Sequence, residues 1–311
     1  EQGGGNGNGN GGPPGHGGSV LTAVDGGSND DAAVIRDPDG EPYNVALAAT
    51  ARRGFDWTSV DVVGGDSLSP LVTEGDDGTR YDEASGNVAL LGRLATECQF
   101  AQDTVALGFA AGGDTAAAAE TAANATRLPY QVTRARYARG WRGYLRHLDR
   151  PSNVVGDPER RRQYDAAAMA LKAADSKQFP GAGLASLSVP WGEAVVADEP
   201  ADYGYNYTWA RDLYQAFTAF EAMGDVESAL EATEYVYDHQ QREDGFIPQN
   251  TFVDGRTRWG GEQLDNISFP QVMAYQLAAR HGVGFDEASY DYENVRRSSD
   301  YVVANGPATA Q

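Results

Sequence analysis

The stretch Tyr203-Gly204-Tyr205-Asn206-Tyr207-Thr208-Trp209-Ala210-Arg211-Asp212 ends a loop and opens a helix. The spacing predicts a helix over 208–223, because Leu213, Phe217 and Phe220 fall on one face. Gly224 stops that helix, and Asp225 is placed to cap the next, 226–242, which carries Val226, Ala229, Leu230, Val236 and Tyr237. A helix over 157–176 precedes the stretch and runs into the loop Phe179-Pro180-Gly181-Ala182-Gly183. Helices over 263–281 and 287–304 follow. Successive helices with short links and no strands between them predict an all-α bundle or toroid. No fixed repeat period marks a solenoid.

Upstream the pattern changes. Residues 131–149 carry Tyr137, Trp141, Tyr144, Leu145 and Leu148 on one helical stripe, with arginines on a solvated face. Residues 114–127 are alanine-rich and helical by propensity. Together 113–156 read as a helical linker. Before it, 19–112 read as β-structure, with strands expected over 19–24, 32–36, 43–51, 55–63, 86–96 and 99–110. Asp-Gly, Gly-Gly and Gly-Asp pairs separate many of them, as in antiparallel sandwich sheets. Residues 1–18 hold ten glycines and are expected to form a disordered loop.

Composition narrows the function. A chain of 311 residues has the length of roughly two domains. Its 45 acidic and 24 basic residues leave a net charge of −21, which argues against nucleic-acid binding. Apolar runs are too short for a membrane span. The single cysteine, Cys98, excludes an intrachain disulfide and a cysteine-based zinc site, and His16, His147, His239 and His281 show no ligand spacing. Lysine occurs only at Lys172 and Lys177, so arginine supplies the rest of the basic charge. Such a surface is expected in a high-salt protein, because carboxylates hold water there and repel each other in dilute buffer. A high-GC genome also favours arginine over lysine. The compartment, cytoplasmic or secreted, is left open. The chain begins at Glu1 and stops at Gln311 just after Asn305-Gly306-Pro307, which reads as a turn leaving a helix. It is expected to be a fragment open at both ends.

Two segments carry chemistry. The opening stretch packs three tyrosines, a tryptophan and an Arg-Asp pair into ten residues. An aromatic face suits the apolar face of a sugar ring, while Arg211 and Asp212 offer a donor and an acceptor for hydroxyls. The same residues also suit a plain helix start, with Arg211 and Asp212 as a local ion pair and the aromatics in the core. The second segment runs from Gln249-Asn250 to Trp259-Gly260-Gly261-Glu262-Gln263-Leu264-Asp265-Asn266. It again sets a tryptophan and polar groups at the mouth of a helix, or else is a loop tip with a capping aspartate. In a toroid of helix pairs, such ends converge on one rim.

Tyr205-Asn206-Tyr207-Thr208-Trp209-Ala210-Arg211-Asp212 resembles the first conserved element of glucoamylases, glycoside hydrolase family 15. Trp259-Gly260-Gly261-Glu262-Gln263-Leu264-Asp265 is similar to the second. Gly183-Leu184-Ala185-Ser186-Leu187-Ser188-Val189-Pro190-Trp191-Gly192 and Gln240-Gln241-Arg242-Glu243-Asp244-Gly245-Phe246-Ile247-Pro248-Gln249-Asn250 are similar to segments of the prokaryotic branch, glucoamylase and glucodextranase, here of haloarchaeal type. The likeness covers roughly residues 80–311 and is most specific over 181–270.

The resemblance implies a partial β-sandwich followed by an (α/α)6 toroid, of which about the first five helices fall in 157–311. It implies an inverting exo-hydrolase that releases glucose from the non-reducing ends of α-glucans or maltooligosaccharides, with no cofactor and no metal. Arg211 and Asp212 would hold hydroxyls of the terminal glucose, Tyr205 and Trp209 would shape that subsite, Trp259 would close over the substrate, and Asp265 would support it. The family's general acid and general base would both lie beyond Gln311, so the remainder of the polypeptide would be needed as partner and the chain alone would be inactive. Asn266 stands where the family often has Glu. Asp212, Glu262 and Asp265 are poor substitutes for an acid–base pair, since Arg211 is expected to lower the pKa of Asp212. A non-catalytic glycan-binding or scaffold protein, and a glucodextranase- or trehalase-type relative, are the alternatives.

Overall fold

In the computed structural model the described residues are 21–24, 33–36, 45–62, 79–86, 88–94, 103–187 and 207–307. They fall into two compact units that divide at Gly140, one within 16–139 and the other from 140 onward. The expected glycine-rich loop 1–18, Cys98, His16 and Tyr205 lie outside the described residues.

The first unit is built on an antiparallel sheet. Strands β1 (Leu21–Val24), β2 (Ala33–Arg36), β3 (Val45–Ala51), β5 (Glu83–Gly86) and β7 (Val105–Ala111) join in the order β5-β1-β2-β3-β7. β4 (Phe55–Val62) pairs with β6 (Val88–Leu94), and this pair packs against β1 and β2 as the second layer of a sandwich. Trp57, Thr58, Ser59, Val60 and Asp61 are buried in succession, so β4 is covered on both faces and shows no alternation. The expected strands recur within the described residues, the last of them running to Ala111. β5 was not anticipated, because Glu-Ala-Ser-Gly has neither β-branched nor aromatic residues to mark it.

Helix α1 (Thr115–Thr126) belongs with this sheet. The Asp114 carboxylate caps it, accepting from Ala117 N at 2.9 Å. Its alanines have a second purpose beyond propensity. Ala118 and Ala122 pack with Ala46 and Ala48 of β3, all four fully buried. At Gly108 of β7 a side-chain carbon would stand 2.2 Å from Ala118 O and 2.4 Å from Ala122 N. Helix and strand backbones therefore touch, which larger residues on either side would forbid.

The second unit is helical. The C-terminal part of α2 (Tyr130–His147) belongs to it: Tyr144 and Leu145 pack on its core, and Leu148 just beyond the helix is buried. After the one-turn α3 (Ser152–Val155) comes α4 (Pro158–Ala173), with proline in its first turn and Asp157 as cap. α5 (Ala210–Ala222) packs against α6 (Val226–Tyr235) and α7 (Leu264–Gln276), and α8 (Tyr292–Asn305) packs on α7. α6 and α7 each end in a π-helical turn, Val236–Gln240 and Leu277–His281. Asp225 caps α6 as expected, accepting from Ser228 N at 3.1 Å. The core joins Leu213, Phe217 and Phe220 of α5 to Tyr235, Ile267, Met273 and Leu277.

Two expectations are corrected here. The helix placed at 287–304 starts at Tyr292, after Asp291 forms a capping box with Asn294. The helical part also contains strands, β8 (Asn250–Thr251) and β9 (Thr257–Trp259), which form a small hairpin. Two or three residues are too few for alternation to register in a sequence.

Candidate functional site

The first turn of α5 is fixed by its neighbours. Thr208 and Thr251 exchange backbone hydrogen bonds at 2.9 and 3.0 Å, which ties the entrance of α5 to β8. Trp209 occupies the N-cap position and caps nothing with its side chain. The cap comes from α7 instead: Arg211 N donates to Asn266 Oδ1 at 2.9 Å. Asn266 is fully buried and also donates through Nδ2 to Gln263 Oε1 at 2.8 Å and to Gln249 O at 3.3 Å. One side chain thus joins the two segments singled out in the sequence.

An aromatic cluster sits over this junction. Trp209 and Trp259 meet edge to face at 6.1 Å, and Tyr207 meets both Trp209 (6.3 Å) and Phe252 (5.4 Å) in the same way. The Arg258 guanidinium lies 4.1 Å from the Tyr207 ring centre and 4.2 Å from that of Trp259. Trp209 is only 6% exposed, so it braces Trp259 from behind. Trp259 N donates to Asn250 Oδ1 at 3.1 Å, which fixes its backbone.

Beside the cluster lies a polar edge. Arg211 Nε donates to Asp265 Oδ2 at 2.6 Å, and Arg211 Nη2 to Gln263 Oε1 at 3.1 Å. Both partners of the ion pair stay open to solvent, at 46% and 40%. The hydrogen bond from Arg211 holds the Asp265 carboxyl below the usual carboxylate range, so it stays ionised. Asp265 is thereby a hydrogen-bond acceptor and cannot serve as a general acid at neutral pH.

Asp212 behaves otherwise. Its neighbour Arg211 is committed to Asp265, and Asp212 instead lines a cavity of about 230 Å³ with Leu171, Gly183, Leu213, Phe220 and Ala232. Loss of hydration raises its pKa, and the opposing pull of Arg211 is weaker. The expected lowering is therefore reversed, and the local Arg211–Asp212 ion pair is not what forms: consecutive helical residues point about 100° apart. Glu262 accepts a hydrogen bond from the Tyr301 hydroxyl at 3.0 Å.

Of the residues chosen from sequence, Trp209, Arg211, Trp259 and Asp265 converge and Asp212 faces elsewhere; Tyr205 is outside the described residues. Sequence reasoning did not choose Gln263, Asn266 or Arg258. In the sequence Asn266 stands out only as a departure from a family pattern. Its first-turn position, one residue after Asp265, was the available signal for a polar side chain aimed at a neighbouring helix end. Arg258 carried no signal beyond standing next to Trp259. Among the described residues no cluster of His, Cys, Asp and Glu could hold a metal ion, and no helix is long and apolar enough to cross a membrane.

Residues 4–146 match the family model described as glucodextranase, domain N. The chain is 30% identical over 274 residues to a glucoamylase from Clostridium sp. (strain G0005), an alignment covering 86% of this chain and 36% of the relative. A crystal structure of a bacterial glucoamylase complexed with acarbose superposes with a TM-score of 0.75 at 28% identity, covering 94% of this chain and 40% of that one. The chain thus spans well under half the length of these relatives.

Proposed function

We propose that this chain belongs to the glucoamylase-like glycoside hydrolase family 15 and supplies the sugar-holding wall of an exo-acting, inverting α-glucoside hydrolase. The observation that carries this reading is the convergence of Trp259 with the Arg211–Asp265–Gln263 edge at the paired entrances of α5 and α7. An indole beside exposed charged donors and acceptors suits the terminal ring of an α-glucan or maltooligosaccharide. The bacterial glucoamylase complexed with acarbose supports an oligosaccharide as the ligand class.

Inversion requires a general acid and a general base roughly 6.5–9.5 Å apart with room for water between them. The carboxylates at this site do not form such a pair, because Asp265 is tied to Arg211 and Asp212 faces the separate cavity. The resemblance implies that the catalytic pair lies in the part of the family's length that this chain does not span, and on this reading the 311 residues alone are inactive. The match to a glucodextranase N domain favours a second reading of the linkage, α-1,6 in place of α-1,4. Sugar release by the full-length protein on maltose, isomaltose, dextran and trehalose tests both. Release from maltose first supports the α-1,4 reading, and release from isomaltose and dextran supports the α-1,6 reading. Inactivity on all four defeats the enzyme.

The net charge of −21 supports a high-salt setting. The unfolding midpoint, followed by circular dichroism, is expected to rise from dilute buffer to multimolar KCl as the carboxylates are screened. An equal or higher midpoint in dilute buffer defeats that part of the reading.

A further inference from the structure

The end of α6 reaches the β8–β9 hairpin through side chains to which the reading above gives no role. Tyr235 Oη donates to Phe252 O at 3.0 Å and lies 3.3 Å from Thr251 Oγ1. Gln240 Nε2 donates to Thr251 Oγ1 at 2.8 Å and to Thr208 O at 3.0 Å. Arg242 Nη2 donates to Gly255 O at 2.8 Å and to Thr257 Oγ1 at 2.6 Å. The hairpin tip rests directly on the helix end: Gly255 has φ +85°, and a side-chain carbon there would stand 2.2 Å from His239 O.

Gln240 differs from the other two in what it joins. Thr208 immediately precedes Trp209, and the strand paired with Thr251 ends in Trp259. One amide therefore grips the chain leading into both tryptophans. Gln240 closes the π-helical turn Val236–Gln240, a local widening of the helix that sets where its side chain emerges. Gln240, Thr208 and Thr251 are all fully buried. Gln240 Oε1 and Asn250 Nδ2 lie enclosed without a hydrogen-bond partner among the described residues. Enclosing such atoms is costly, and an apolar side chain of similar length would fill the space without that cost. Stability alone does not account for a glutamine here; the direction of its two hydrogen bonds does.

We infer that Gln240 is a positioning residue that sets the edge-to-face arrangement of Trp209 and Trp259. The inference rests on the reading of that pair as the sugar wall, but its test needs no sugar. Two indoles held edge to face couple as an exciton, which circular dichroism of the 311-residue chain reads directly. The couplet is expected in the wild type and absent from both Trp209→Phe and Trp259→Phe. Gln240→Met is expected to lose most of it at denaturant concentrations well below its unfolding midpoint. Tyr235→Phe, which keeps the Gln240 grip, is expected to lose less. Thr233→Val, which removes a buried hydrogen bond inside α6, serves as the control for stability alone and should keep the couplet whole.

A folded Gln240→Met protein with the full couplet overturns the inference, and so does a wild type with none. Should Gln240→Met not fold, Gln240→Glu decides. Its protonated acid can donate to Thr208 O and its carboxylate cannot, so the couplet should fade as the acid ionises with rising pH. A couplet indifferent to that ionisation overturns the inference. Failure of the sugar-release assays with the couplet behaving as stated sinks the functional reading and leaves the geometry standing.

Discussion

The entrances of α5 and α7 look alike in sequence and differ in electrostatics. Each sets a tryptophan a few residues before an aspartate at the start of a helix, Trp209 before Asp212 and Trp259 before Asp265. Asp265 faces Arg211 across 2.6 Å and is held ionised. Asp212, adjacent to that arginine in the chain, faces a largely apolar cavity and resists ionisation. The state of Asp265 is decided by the arginine that the other helix brings, and that of Asp212 by its loss of hydration. Sequence proximity predicted the wrong pair.

The strongest way to break the contrast is to remove what joins the two entrances. Asn266→Ala leaves Arg211 N, Gln249 O and Gln263 Oε1 without their shared partner in a fully buried place. Unmet buried groups cost about 1–3 kcal/mol each, partly relieved by water entering the gap. A loss of about 2–4 kcal/mol in the helical unit is expected from urea unfolding of this variant. A loss under about 0.5 kcal/mol, the range of ordinary surface substitutions, would show that the junction is incidental.

Next in size is Arg211→Met in the full-length protein. The Arg211–Asp265 pair is exposed on both sides, so its removal should cost no more than about 1 kcal/mol of stability. A hydrogen bond from a charged donor to bound sugar is worth about 1.5–3 kcal/mol, so substrate affinity should fall roughly 10- to 150-fold. The split between the two readouts is the test. Comparable small losses in both would mean that Arg211 only staples α5 to α7.

How much of this was legible follows from what each pattern encodes. The apolar spacing of Leu213, Phe217 and Phe220 gave α5 directly, because a helix facing a core must repeat with its own period. The Asp225 cap was legible for an equally local reason. The alanines of α1 announced a helix but not its place, since their smallness serves the contact at Gly108, far away in sequence. Trp209, Trp259, Arg211 and Asp265 stand out through the resemblance of their two segments to family elements, since residue type alone suits a plain helix start and a capped loop tip equally well. The β8–β9 hairpin and the role of Asn266 were not, because both are defined by partners on other segments: Thr208 with Thr251, and Arg211 N with Asn266 Oδ1. Residue type along the chain reports burial and local backbone well, and it reports which side chain meets which only through the fold.

The smallest expected effect separates the two aspartates most sharply, because it has opposite signs. The folded pKa of Asp265 lies below its unfolded value, about 3.9, so its pairing adds stability above that value and loses it as pH falls through the folded pKa. Asp265→Asn should therefore fall short of the wild type at neutral pH and converge with it in strong acid. The folded pKa of Asp212 lies above its unfolded value, so its contribution is complete below about 3.9 and is lost as pH rises through the folded pKa. Asp212→Asn, neutral throughout, should therefore gain on the wild type as pH rises over that window and hold the gain at neutral pH. Urea midpoints from strong acid to neutrality, each variant read as a difference from the wild type, cancel the titration of the other carboxylates. Two differences of the same sign at neutral pH would mean that the cavity does not hold Asp212 away from water, and the contrast between the two helix entrances would collapse.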